Sequence, residues 1–288
     1  MKIQNHVIYK EGLMKKNKNI ILLFLLLSFL TSTYAIDLKF GIYTSDKASV
    51  MYKQFSPIIK YLEKDAKKQG LDLKISIKIY PSYESALEGI VKGDYDFARF
   101  GPASYILAKQ RNKDIKLLVK EEHKGKKVFN GVFIVRKGST IKSLKDLKNK
   151  SFAFGDKQST IGRYLAQNEL LKVNITSKDL KKFDYLNRHD KVALAVVHGD
   201  FDSGVVKESS YKKYKNRGLK SIASFQNITK PWLVKAGLDD KVYNTLKKSL
   251  LNLKDKEVLK SIKKTAFLEA MDDDYTIIKE SMDNSSRF

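Results

Sequence analysis

The chain has 288 residues and no cysteine, so disulfide frameworks, thiolate catalysis and cysteine-based zinc sites are excluded. Lysine and arginine number 56 against 32 acidic residues, a net charge of +24. The lysines are spread along amphipathic stretches without a dense basic block, which argues against a nucleic-acid partner and for solvated faces whose field gathers small anions.

Residues 1–35 read as an export signal. Lys15, Lys16 and Lys18 precede the apolar run 20–30, and Thr33, Tyr34 and Ala35 offer a cleavage point near Ala35. The run falls short of the roughly 20 residues of a membrane span. Met14 is an alternative start, because residues 1–13 add nothing a signal needs. No cysteine follows the run, so no lipid anchor is expected. Removing the segment takes away five lysines and one glutamate and leaves +20.

Residues 38–43 alternate as a strand and break into a polar turn at 44–47. Phe55, Ile58, Ile59 and Leu62 recur at helical spacing over 50–68, closed by Gly70. Strict alternation over 73–79 predicts a second strand, which Pro81 ends, and Tyr83 lies at the turn into a helix over 85–91. A turn at 93–96, a buried strand and the Gly101-Pro102 stop come next, with a helix from about Ala103. Strand and helix alternate throughout, the pattern of a mainly parallel α/β sheet.

That pattern recurs. Helix, glycine stop and returning strand over 86–96 are echoed, one residue shorter, over 193–202. Between them lie a strand over 131–137, the segment 143–147 and the stretch 151–166. Two similar α/β units joined by strands predict two lobes facing a cleft, with the ligand at the carboxyl ends of strands. The expected limits are 36–134 for the first part of lobe 1 and 135–224 for lobe 2. Residues 225–288 would hold a hinge crossover in the stretch 224–234, which carries Pro231 and the single Trp232, then C-terminal helices packing back on lobe 1.

The stretch 151–166 carries the strongest site signal. A strand over 152–154 meets a turn at Gly155, and a helix starts near Ser159. Unpaired N–H groups, the positive end of the helix and the Ser159 and Thr160 hydroxyls together make a nest for an oxyanion. Gly162 lets the first turn come close to a ligand. The ordinary role of Ser159 is to cap the helix, with both hydroxyls at an exposed turn. No G-x-x-x-x-G-K-[ST] loop is present. The four histidines (His6, His123, His189, His198) form no H-E-x-x-H, and neither a nucleophile elbow nor a carboxylate pair occurs, so no enzyme, metal or cofactor is expected. Asp272, Asp273 and Asp274 are read as exposed acids.

Three segments, 95–105, 154–162 and 189–204, taken in order and spacing, make the chain resemble the PhnD-like substrate-binding proteins of ABC importers for phosphate, phosphite and phosphonates. The resemblance covers essentially all of 38–288. It implies a type II-like, two-lobed periplasmic binding protein that closes on its ligand about a hinge. The implied role is capture of a small oxyanion for an ABC permease, by a monomer without catalysis. The alternatives are a sensor subunit for a membrane histidine kinase, and a binder of a non-phosphorus organic anion.

Carried over residue by residue, the family's Ser-Thr pair falls on Ser159 and Thr160, and its histidine on His189, preceded by Arg188 instead of glycine. An aromatic hydroxyl falls on Tyr83. A second family tyrosine falls on Phe129, which cannot donate a hydrogen bond. Lys230 stands where aminophosphonate binders place an acid. The last two departures argue against an aminoalkylphosphonate ligand.

Overall fold

Leu38, Phe40 and Ile42 are the inward residues of β1 (Ile36–Tyr43) in the computed structural model, which describes residues 35–44 and 46–288. The expected export signal lies outside the described residues, apart from Ala35. Strand β1 pairs in parallel, residue for residue, with β2 (Leu73–Tyr80). The connecting helix α1 (Ala48–Lys68) buries Met51, Phe55, Ile58, Ile59 and Leu62 against them, one apolar stripe at helical spacing.

Helix α2 (Tyr83–Lys92) starts at Ser82, whose hydroxyl accepts from the Ser85 N–H, and stops at Gly93 with φ 78°. Strand β3 (Phe97–Arg99) lies parallel beside β1, and α3 (Pro102–Arg111) opens with proline in its first turn. Strand β4 (Lys116–Glu122) escapes the sequence reading because it has no alternation; Leu117, Leu118 and Val119 are all buried.

Strand β5 (Val128–Arg136) leaves the first sheet and starts the second. Next come β6 (Ser151–Phe154) and a wide turn of π-helix (Thr160–Leu165) that runs into α4 (Ala166–Leu171). Strand β7 (Lys182–Tyr185), α5 (His189–His198), β8 (Ser203–Lys207), α6 (Glu208–Tyr214) and β9 (Leu219–Ile228) complete this half. Strand β10 (Pro231–Val234) returns to the first sheet, followed by α7 (Asp240–Leu251), α8 (Lys256–Ser261), β11 (Ala266–Leu268) and α9 (Thr276–Ser285).

The strand orders are β11-β4-β10-β3-β1-β2 and β7-β6-β8-β5-β9. In the first sheet only β10 and β11 run against the rest, and in the second only β5 does. The architecture is therefore two mainly parallel sheets flanked by helices. Strands β5 and β9 belong whole to the second sheet, so the chain crosses between sheets just before Val128 and just after Ile228, where the expected limits at 134/135 and 224/225 would cut both strands.

The first core is built around Trp232, stacked on Phe40 at 4.9 Å with Phe267 edge-on at 5.3 Å. Helices α7 and α8 pack on α1. Helix α9 does not follow them. It packs against the π turn, α3 and α4, and Phe288 sets its ring edge-on to Phe154 of the second sheet. Of the three acids read as exposed, Asp274 is partly buried and pairs with Lys120, and Asp272 accepts from the Tyr105 hydroxyl.

Candidate functional site

The carboxyl ends of the parallel strands in both sheets aim at one cleft, and the chain places helix starts there. Tyr83 opens α2, Gly101 caps α3, Ser159 caps the π turn and His189 opens α5. Tyr83, Phe129, Ser159, Thr160, His189 and Lys230, the residues expected from sequence, all line one cavity of about 20 Å³. Tyr43, Gly101, Pro102, Ile161, Lys207 and Asn227 complete the wall. Gly162, also expected there, lies one layer behind: its N–H donates to Ser159 Oγ at 2.9 Å.

The hydroxyls are not at an exposed turn. Ser159 and Thr160 are 3% and 4% exposed, because the opposite sheet's helix α3 covers them. Thr160 Oγ1 accepts from the Ala103 N–H across the cleft at 2.9 Å, and Tyr43 Oη accepts from the Gly101 N–H at 2.5 Å. Each hydroxyl thus takes its bond from a helix-start N–H and keeps its own proton to donate. Tyr43 and Tyr83 stack at 3.7 Å. Burial raises the Tyr43 pKa to about 12 and pushes Tyr83 well above the usual tyrosine value, so both stay protonated donors.

The helix after Ser159 is wider than the expected α-helix. The Ser159 carbonyl accepts from both Arg163 and Tyr164, at 3.0 and 3.3 Å, and the Gly162 carbonyl also accepts from the Gly155 N–H at 2.8 Å. Gly155 and Gly162 touch backbone to backbone. A Cβ on Gly162 would stand 2.8 Å from Gly155 Cα and 2.9 Å from Ser159 Oγ. A Cβ on Gly101 would meet Tyr43 Oη at 3.0 Å and Thr160 Oγ1 at 3.3 Å.

The electrostatics of the opposite wall are cationic. Lys207 ends β8, and Lys230 sits in the second crossover with its ammonium 5.6 Å from the centre of the Tyr43 ring. Burial first, then neighbouring Arg99 and other lysines, lowers the Lys230 pKa well below its ordinary value. Burial likewise brings Lys207 down to about 8, with Asp46 opposing. His189 is held neutral by burial and by the charges of Lys207 and Lys230, and its Nδ1 is buried without a hydrogen-bond partner. Asn227 Oδ1 is also buried without one. Among the described residues no aspartate or glutamate lines the cavity, and no cluster of residues is suited to a metal. The arrangement offers donors and positive charge to an anion, and no acid–base pair.

Beneath the cleft, Glu121 is fully buried and accepts from Arg99 Nη2 at 3.0 Å and Trp232 Nε1 at 3.1 Å, with Lys264 Nζ also at 3.0 Å. Two bonds shut the cleft at its rim: Gln158 donates to Glu84, which Arg111 holds at 2.6 Å, and Lys213 faces Asp46 at 3.9 Å.

Sequence reasoning missed Tyr43, Lys207 and Asn227. Tyr43 and Lys207 were open to the rule that ligands meet strand ends, since each closes an apolar strand. Asn227 carries no such signal.

Residues 40–275 match the family described as ABC transporter, phosphonate, periplasmic substrate-binding protein. A probable ABC transporter phosphite binding protein, PhnD1, from Prochlorococcus marinus is 25% identical over 269 residues, covering 84% of this chain and 88% of that protein. The solved structure of PhnD1 from that organism, in complex with methylphosphonate, superposes with a TM-score of 0.78 at 24% identity, covering 88% of this chain and 99% of that one. A binding protein component of a phosphonate ABC transporter from Pseudomonas aeruginosa gives 0.76 at 21% identity, covering 88% and 87%. The chain belongs to this family of ABC transporter periplasmic substrate-binding proteins.

Proposed function

Starting from that membership, we propose that this protein captures a small phosphorus oxyanion of the phosphonate, phosphite or phosphate type and hands it to an ABC permease, without catalysis. The observation that carries the reading is the convergence of four helix starts, buried hydroxyls and two lysines on one small cavity that, among the described residues, no carboxylate lines. Backbone N–H groups, hydroxyls and ammonium groups are the donors that a phosphorus oxyanion's strong acceptor oxygens require. The relatives named above for phosphite and methylphosphonate support the same ligand class. Export on the basic and apolar leader, with cleavage near Ala35, belongs to the proposal. So does a monomer whose lobes close about the two crossovers.

A thermal-shift panel tests it, run on purified protein that has been unfolded and refolded to strip carried-over ligand. Phosphite, methylphosphonate or phosphate at 100 times its Kd would add about 2.7 kcal/mol of stability. That corresponds to a rise in Tm of roughly 5–10 °C for a chain of this size. A panel in which only sulfate or an organic anion raises Tm would overturn the ligand class.

Two substitutions probe the closed cleft. Gly162→Ala forces the Ser159 hydroxyl aside and should weaken oxyanion binding on the order of tenfold, because small misplacements of a positioned group are costly; unchanged affinity by calorimetry would contradict the assignment. Glu84→Ala removes the acceptor that Gln158 reaches from the other lobe. Stopped-flow dissociation should then quicken several-fold with little change in association, the usual partition when a closing contact is lost.

A further inference from the structure

The cationic wall brings Lys230 to the cavity. Glu121 is already shared by Arg99 and Lys264. Among the described residues Lys230 makes no ion pair; its ammonium has only the face of the Tyr43 ring, at 5.6 Å. Lys207 lines the same cavity. An ammonium drawn partly out of water is costly unless a counter-charge stands beside it.

Resting on the oxyanion reading above, we infer that the cavity is built for a compact oxyanion with two negative charges and no amine, and that Lys230 sets this preference. A doubly charged head can be shared between the hydroxyl and helix-start side and the lysine side at once. A single charge satisfies one side and leaves the other short. A ligand that brought its own ammonium group would set it against Lys230 and Lys207, with no carboxylate among the described residues of the wall to receive it. Burial lowers the Lys230 pKa in the absence of an anion, and an adjacent dianion acts in the opposite direction by favouring the charged lysine.

Calorimetric titration with two matched pairs of ligands separates charge from size, at a pH where methylphosphonate is doubly ionised. Dimethylphosphinate replaces one oxygen anion of methylphosphonate by a methyl group, and 2-aminoethylphosphonate replaces the terminal methyl of n-propylphosphonate by an ammonium. Methylphosphonate should bind at least about tenfold tighter than dimethylphosphinate, and n-propylphosphonate about tenfold tighter than 2-aminoethylphosphonate, the scale of one partly buried charge interaction. Lys230→Met should bring both ratios below about threefold. Equal or tighter binding of 2-aminoethylphosphonate by the unaltered chain overturns the inference, as do ratios that survive in the variant. The ratios are internal to each folded protein, so a change in the stability of the variant does not mimic the effect. If no phosphorus ligand binds, the oxyanion reading falls and this inference falls with it; preference for the amine removes this inference alone.

Discussion

Changing Ser159 and Thr160 together to alanine is expected to lower oxyanion affinity by a factor of roughly 100 to 10,000. Each hydroxyl would donate one hydrogen bond to a charged ligand, worth about 1.5–3 kcal/mol, and each 1.4 kcal/mol is about tenfold in Kd. The double variant also loses two bonds within the protein: the cap from Gly162 N–H to Ser159 Oγ, and the bond from Ala103 N–H to Thr160 Oγ1 across the cleft. Its Tm should therefore drop modestly, in line with the loss of about 0.5–2 kcal/mol for a helix cap. The protein nevertheless stays folded, because the strands behind the turn bury Phe152 and Phe154 without either hydroxyl. Calorimetry alongside circular dichroism checks both parts. Retained affinity in a folded double variant would remove these residues from the site.

Glu121→Gln should cost about 3–5 kcal/mol of stability, the usual penalty for removing one partner of a buried charge cluster. For a protein of this size that is a fall in Tm on the order of 10 °C. Two cations, Arg99 and Lys264, would be left around an uncharged amide, and Trp232 Nε1 would lose a charged acceptor. The variant also has a pH signature. Burial alone would raise the Glu121 pKa, but the Arg99 and Lys264 charges and the bonds from Arg99 and Trp232 outweigh it and bring it down to about 2. Because the folded value lies below the unfolded one, this stability is complete above the ordinary carboxylate pKa of about 4.3 and is lost as pH falls toward 2. Denaturant titrations from pH 6 down to pH 2 should find a shallower acid loss in the variant. Parallel curves would mean that another group carries the acid sensitivity.

Elements with a clean period were legible in the sequence, and elements fixed by burial on both faces were not. Strands β1 and β2 alternate and were placed within two residues, whereas β4, with Leu117, Leu118 and Val119 all inside, was invisible to a period-two search. The packing of the last helix was not legible either: α9 buries Ile278 and packs on the π turn, α3 and α4, and Phe288, just beyond its end, turns to the second sheet. The π widening after Ser159 depends on a backbone contact between Gly155 and Gly162 that the residue letters do not encode.

In the cleft, local chemistry announced Ser159 and Thr160, and the family resemblance supplied Tyr83, His189, Phe129 and Lys230. All six line the cavity that the fold creates. Lys207 was lost among the many lysines of a chain with net charge +24, since nothing local separates a lysine in a cleft from one on a solvated helix. Asn227 reaches the cavity only through the antiparallel register of β9 on β5, where it stands opposite Phe129.

The most direct measurement is a calorimetric titration of the refolded, ligand-free protein with phosphite, methylphosphonate and phosphate, each repeated on the Ser159→Ala/Thr160→Ala variant. The cleft described here predicts saturable binding of at least one of them, one per chain, with the heat lost in the variant. Absence of saturable heat for all three, or binding that the double variant keeps in full, would contradict a phosphorus-oxyanion site between these lobes.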